Sequence, residues 1–180
     1  MKKIDFIIRA AAPADALPTI RIGIKGWRYA YGKIISEGRL RENEARKMSP
    51  ENIMRATEDI AGGVGIRLVA TDANGKVLGF KFNQPDDDGE WRGGGTYIDP
   101  EYVGMGIGRA LFVEFARRLR AMGKEKFWVS CMTDNKSMDF YRKLGGKVIK
   151  EYPYEKMENK SLSELKFEVK GFFDRHIMKK

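Results

Sequence analysis

The chain carries one cysteine, Cys131, and one histidine, His176, among its 180 residues. A single cysteine excludes an internal disulfide, and so few thiol and imidazole ligands leave no metal site to expect. No apolar run is long enough to span a bilayer, so no membrane partner is expected. The opening MKKIDFIIRA interrupts its apolar stretch with Asp5 and Arg9, which does not read as a signal peptide. Repeats, low-complexity tracts and linkers are missing too. These absences point to a reducing, cytoplasmic setting.

What is present suits one globular domain over residues 1–180 with a sizeable core. Hydrophobic residues make up 42% and aromatics 11%, too many for a disordered chain. The formal charge of +9 admits attraction to nucleic acid, to an acidic surface or to a phosphorylated cofactor. Both signs interleave along most of the chain, as in EKMENKSLSELKFEVK, which favours a solvated surface over a nucleic-acid partner.

Periodicity supplies the elements. IDFIIRAA reads as a first strand, followed by a helical pattern of Ala16, Ile20, Ile24, Trp27 and Tyr31 that Gly23 and Gly26 weaken. SPENIMRATEDIAGG is a helix with Ser49 as N-cap, Pro50 first inside and Gly62-Gly63 as its stop. IRLVATDANGKVLGFKFN is a hairpin around Asn74-Gly75. PDDDGE is a polar loop, and WRGGGTYID a strand whose glycines suggest a bulge. Next comes a helix with Ile107, Leu111, Phe115, Leu119 and Met122 on one face, ended by Gly123. KFWVSCM reads as a buried strand, NKSMDFYRKLGG as a short helix, KVIKEYPY as a strand, and LKFEVKGF as a strand able to pair with it. The expected fold is a single α/β domain with a mixed sheet.

Glycines at 104, 106 and 108 directly before an amphipathic helix suggest an anion held by backbone N–H groups. A P-loop is unlike this turn, because Arg109-Ala110 follow Gly108 where Lys-Ser/Thr is needed. A dinucleotide fold needs an acidic residue after the next strand, which ends instead in Ser130-Cys131-Met132.

The stretch YIDPEYVGMGIGRALFVEFARRLRAMGKEKFWVSCMTDNKSMDFYRKLGG resembles the acyl-CoA-binding core of the GNAT superfamily of N-acyltransferases. The resemblance rests on Tyr97 to Tyr102, Val103 to Gly108, Asn135, and Phe140-Tyr141 to Gly145-Gly146. It implies a mostly antiparallel mixed sheet, splayed at the acyl-CoA site and flanked by helices. It also implies acetyl-CoA as cosubstrate, with the pyrophosphate on the backbone of Val103, Gly104, Met105, Gly106, Ile107, Gly108 and Arg109. Tyr97 and Ile98 would line the pantetheine arm, the Ile98 N–H polarising the thioester carbonyl. Asn135 would bind the pantetheine amides, and Tyr141 would protonate the departing thiolate. Trp27 and Tyr31 fall where relatives cover the acceptor pocket.

Three departures stand out. Val103 replaces the usual Arg or Gln, and Gly146 replaces a common aromatic. EWRGGG lacks a carboxylate where many members keep a general base; Glu90 shares the strand parity of Thr96 and Ile98 but lies two residues early, so it is the candidate base through water. The resemblance thus implies an acetyl-CoA-dependent N-acetyltransferase using direct attack, with a small-molecule amine favoured as acceptor. A protein N-terminus or lysine, or a basic RNA- or ribosome-binding module keeping the fold, are the alternatives. A homodimer remains open.

Overall fold

The computed structural model describes residues 4–92, 94–154 and 160–176. The chain divides into two compact units, Met1–Phe82 with Gly95–Phe112, and Asn83–Gly94 with Val113–Lys180.

The first unit is built on a four-stranded sheet. Its strands are β1 (Ile7–Ala10), β2 (Ile66–Thr71), β3 (Val77–Asn83) and β4 (Gly95–Ile98), lying side by side in that order. β2 and β3 form the expected hairpin, with Gly75 at φ +81° and the Asp72 carboxylate accepting from the N–H groups of Asn74 and Lys76, both at 2.9 Å. Helix α1 (Ala16–Tyr31) lies on this sheet, where Ile22, Val69, Val77 and Phe80 are buried against Phe82 and Tyr97.

The glycines that weakened the helical reading of α1 do not interrupt it. A Cβ on Gly26 would stand 2.9 Å from Tyr97 Cδ1, and one on Gly23 would stand 3.4 Å from Phe80 Cζ. The Tyr97 ring leaves no room for a side chain at Gly26, whereas a Cβ on Gly23 would meet Phe80 at an ordinary contact distance. Helix α2 (Glu37–Lys47), absent from the sequence reading, buries only Leu40, so it has little apolar stripe to detect. Arg28 of α1 ties it down through Glu37 and Glu44, each at 2.8 Å. Helix α3 (Pro50–Ala61) starts as expected, with the Ser49 hydroxyl accepting from the Asn52 N–H.

The second unit holds a three-stranded sheet of β5 (Lys126–Met132), β6 (Lys147–Pro153) and β7 (Ser161–Glu168), with β7 in the middle. Helix α4 (Ile107–Ala121) begins in the first unit and ends in the second, and α5 (Ser137–Lys143) and α6 (Val169–His176) complete the second. Its core is aromatic. Phe127 stacks on Phe167 at 4.8 Å between centroids and meets Phe115 edge-on at 5.1 Å. A Cβ on Gly146 would fall 2.5 Å from Phe167 Cζ, so the ring already fills the space an aromatic at 146 would need.

The expected α/β fold of mostly antiparallel strands flanked by helices is present, its described ladders antiparallel and falling into two sheets. Three element readings are corrected. The strand read over WRGGGTYID shrinks to Gly95–Ile98, because Trp91 is drawn into the aromatic core and Gly94 turns the chain at φ +79°. Met122 lies beyond α4 and is 53% exposed. The strand read over LKFEVKGF ends at Glu168: Val169 donates to the Glu125 carbonyl, and the chain turns into α6, burying Val169, Phe172 and Phe173. His176 has Nε2 3.0 Å from the Leu144 carbonyl and its ring 4.7 Å from that of Phe172.

Among the described residues no helix is long and apolar enough to cross a membrane.

Candidate active site

In the first unit, the site starts from the ladder between β3 and β4. Gly79 faces Ile98, Phe80 faces Tyr97 and Lys81 faces Thr96, and the Asp99 N–H donates to the Leu78 carbonyl at 2.9 Å. Bonded residues alternate along an antiparallel strand. The N–H and C=O groups of Thr96 and Ile98 therefore point away from β3, and β4 is the last strand of its sheet. A ligand with amides could extend the sheet there.

Directly after β4, Asp99 organises the turn. Its carboxylate accepts from the Glu101 N–H at 3.3 Å and pairs with Lys25 of α1 at 2.8 Å. Asp99 is buried, and Pro100 opens a single 3-10 turn, Pro100–Tyr102. Gly104 and Gly106 both take φ +86°, a region costly for residues with a Cβ. Open space lies over both, since a Cβ on either would meet nothing within 4 Å. The first α4 hydrogen bond runs from the Ala110 N–H to the Gly106 carbonyl, so the preceding N–H groups have no intrahelical acceptor. N–H groups without an intrahelical acceptor, the helix dipole and an uncovered backbone suit a phosphate. Val103 is 46% exposed beside this turn and offers no hydrogen bond from its side chain.

On the remaining first-unit candidates, Tyr97 packs its ring 5.6 Å from Phe80, with Lys47 Nζ 5.6 Å from its own centroid. Burial first, and Arg46 second, hold the Lys47 ammonium below its ordinary pKa. Trp27 and Tyr31 form an edge-on pair at 5.3 Å, both half-buried, one turn apart on α1.

In the second unit, β5 is the edge strand of its sheet. The N–H groups of Val169 and Thr133 close the ladder with Glu125 and Ser161, so Trp128, Ser130 and Met132 direct their backbone groups away from β7. Trp128 uses that side to donate to the Trp91 carbonyl at 2.8 Å. Past the strand, the Asn135 N–H returns to the Met132 carbonyl, and Asn135 Oδ1 accepts from the Ser137 N–H at 2.9 Å. Asn135 is 6% exposed, and its oxygen is committed to starting α5. Tyr141 follows on α5, 8% exposed, its ring edge-on to Phe140 at 5.3 Å.

Glu90 sits in the loop before Trp91, half-buried, with Oε1 3.6 Å from Lys126 Nζ. Of the neighbouring acids, Asp86 is spent on the loop itself. It accepts from the N–H groups of Asp88 and Glu90 and pairs with Arg92 at 2.9 Å. The Glu90 amide foremost, with Arg92 helping, holds its carboxyl below the usual range. Cys131 is buried, and desolvation pushes its thiol up to about 12. It is not a nucleophile at neutral pH.

Sequence reading passed over Lys81 entirely. It lies on β3 and is 1% exposed, with Nζ 3.5 Å from Thr96 Oγ1 and 4.4 Å from the centroid of the Phe112 ring.

Comparison with known proteins gives the family and the fold. The family model described as the Acetyltransferase (GNAT) family matches residues 34–146. The chain belongs to the GNAT acetyltransferase family and is an acyltransferase by that membership. No curated protein sequence matches. Among solved structures it is similar to PaiA N-acetyltransferase from Thermoplasma acidophilum in complex with coenzyme A. That pair has a TM-score of 0.73 and 23% identity, covering 91% of this chain and 100% of the other. YncA from Salmonella typhimurium, with acetyl-CoA, gives a TM-score of 0.64 at 20% identity over 91% and 94% of the two chains. The ribosomal-protein-S18-alanine N-acetyltransferase from Escherichia coli gives 0.60 at 19% identity over 92% and 94%.

Proposed function

We propose that the chain, as one N-acetyltransferase domain over residues 1–180 in the cytoplasm, moves acetyl from acetyl-CoA directly onto a primary amine, a small molecule in preference to a peptide. The reading is carried by one observation: the outward N–H of Ile98 on an edge strand, followed within a few residues by the open glycine turn at 104–108.

Each residue then has a task. The N–H groups from Gly104 to Arg109 hold the pyrophosphate, where a side chain at 104 or 106 would hold it off. The edge of β4 pairs with the pantetheine amides, and the Ile98 N–H stabilises the oxyanion that develops on the thioester oxygen. In the second unit, the Asn135 amide nitrogen serves the pantetheine carbonyl, since its oxygen accepts from the Ser137 N–H. Tyr141 donates its phenolic proton to the leaving thiolate. Trp27 and Tyr31 line the acceptor side, and Glu90 takes a proton through water. Attack is direct because the one thiol, Cys131, is held protonated.

The test is release of free CoA from acetyl-CoA in the presence of polyamines, amino acids, aminoglycosides and peptides. Release that depends on a small-molecule amine is the expected result. Release with peptides alone moves the acceptor to a protein, and binding of acetyl-CoA with no amine-dependent release refutes the enzyme reading.

A further inference from the structure

A lysine deep inside a sheet demands an account, because burying an amine costs several kcal/mol unless the site uses it. Lys81 is such a residue. The elements packed on it present Thr96 from β4 and the face of Phe112 from α4. Thr96 differs from it in one respect that matters: it is half-buried where Lys81 is fully covered. The two side chains thus form a path from the interior to the accessible strand whose edge carries Ile98, and Thr96 shares the strand face of Ile98 two residues on.

We propose that Lys81 is the terminal proton acceptor of the reaction, drawing the proton of the acceptor ammonium through the Thr96 hydroxyl. This rests on the acetyl-transfer reading above, and it puts Lys81 in place of Glu90 as the group that takes the acceptor's proton. Burial pushes the Lys81 ammonium down to about 7. At neutral pH a large share of it is therefore an amine with a lone pair to offer. The ring face of Phe112 favours the ammonium form once the proton arrives.

The step balances. The acceptor ammonium gives a proton to Thr96 Oγ1 as the hydroxyl passes its own to Lys81 Nζ. The freed amine forms a bond to the thioester carbon, the C–S bond breaks, and the thiolate takes the Tyr141 proton. Tyr141 regains a proton from the new amide nitrogen, and Lys81 returns its own to water. Thr96 is the residue that meets the acceptor; Lys81 works through it. The 3.5 Å separation is at the outer limit of a hydrogen bond, as is common before substrate tightens a site.

The experiment pairs rates with a direct titration. ¹³C-labelled lysine NMR of the wild type, with Lys81→Met to assign the signal, reads the Lys81 amine with no substrate present. The expected result is a midpoint near neutrality, and a midpoint above pH 9 overturns the proposal. With an acceptor from the amine panel, Lys81→Met and Thr96→Val are expected to lower kcat by ~10²-fold. Both should lose the inflection near neutral pH while binding acetyl-CoA as the wild type does. Thr96→Ser should recover most of the rate lost in Thr96→Val. An active wild type whose pH–rate profile is unchanged in Lys81→Met overturns this proposal alone. A wild type with no amine-dependent turnover overturns the acetyl-transfer reading as well.

Discussion

The glycine turn at 104–108 and the β3–β4 pair belong to the same unit, yet in the proposed mechanism they carry chemistry in opposite ways. The turn would work with main chain: two glycines at φ +86°, helix N–H groups without an intrahelical acceptor, and open space where a Cβ on Gly104 or Gly106 would stand. The strand pair works with one side chain, Lys81, enclosed by Thr96 and Phe112. On that mechanism the backbone site would tolerate substitution at a neighbour such as Val103, and the side-chain site would not, because its role would reside in one titrating group.

The largest effect that would sharpen this contrast concerns stability. Lys81 titrates near 7 when folded and near its ordinary 10.5 when unfolded. Between those values the unfolded chain binds more protons, so stability rises with pH across that window and is lowest below it. The full difference is roughly 3–5 kcal/mol. Unfolding midpoints in urea are expected to climb from pH 7 to pH 10 in the wild type and to climb less in Lys81→Met. Equal slopes would mean that the amine is solvated and the contrast fails.

Next in size is Tyr141→Phe. The ring packing against Phe140 survives, and only the proton is lost. Turnover should fall ~10²-fold, about 2.7 kcal/mol, with little change in acetyl-CoA affinity. A rate equal to wild type, with chemistry shown to limit turnover, would make Tyr141 a packing residue.

Legibility in the sequence follows the same division. Local backbone chemistry was readable: Ser49-Pro50 opening α3, Asn74-Gly75 in the hairpin, and the glycine turn. So was the stripe of Ile107, Leu111, Phe115 and Leu119, because α4 is apolar on one face. What escaped depends on residues distant in sequence. Gly26 weakens the helical pattern in sequence until Tyr97 arrives to fill the space above it. Helix α2 is held by charges from α1 around one buried leucine. The alternation in VLGFKFN would turn Lys81 to solvent, but this sheet is covered on both faces. Phe80 and Tyr97 pack toward α1, while Lys81 meets Phe112 of α4. The end of β7 was missed because VKGF alternates until its aromatics fold back as α6.

The central claim is that the backbone from Gly104 to Arg109 holds the pyrophosphate. It is tested most directly by calorimetric titration of wild type and Gly106→Val with two ligands, acetyl-CoA and S-acetylpantetheine, which lacks the pyrophosphate and nucleotide. The wild type should bind acetyl-CoA with a dissociation constant on the order of micromolar, about −8 kcal/mol, and S-acetylpantetheine far more weakly. Gly106→Val, whose side chain strains a positive φ and fills the open space, should bring acetyl-CoA down to the level of S-acetylpantetheine and leave the latter unchanged. Tight acetyl-CoA binding that Gly106→Val does not alter would contradict the account.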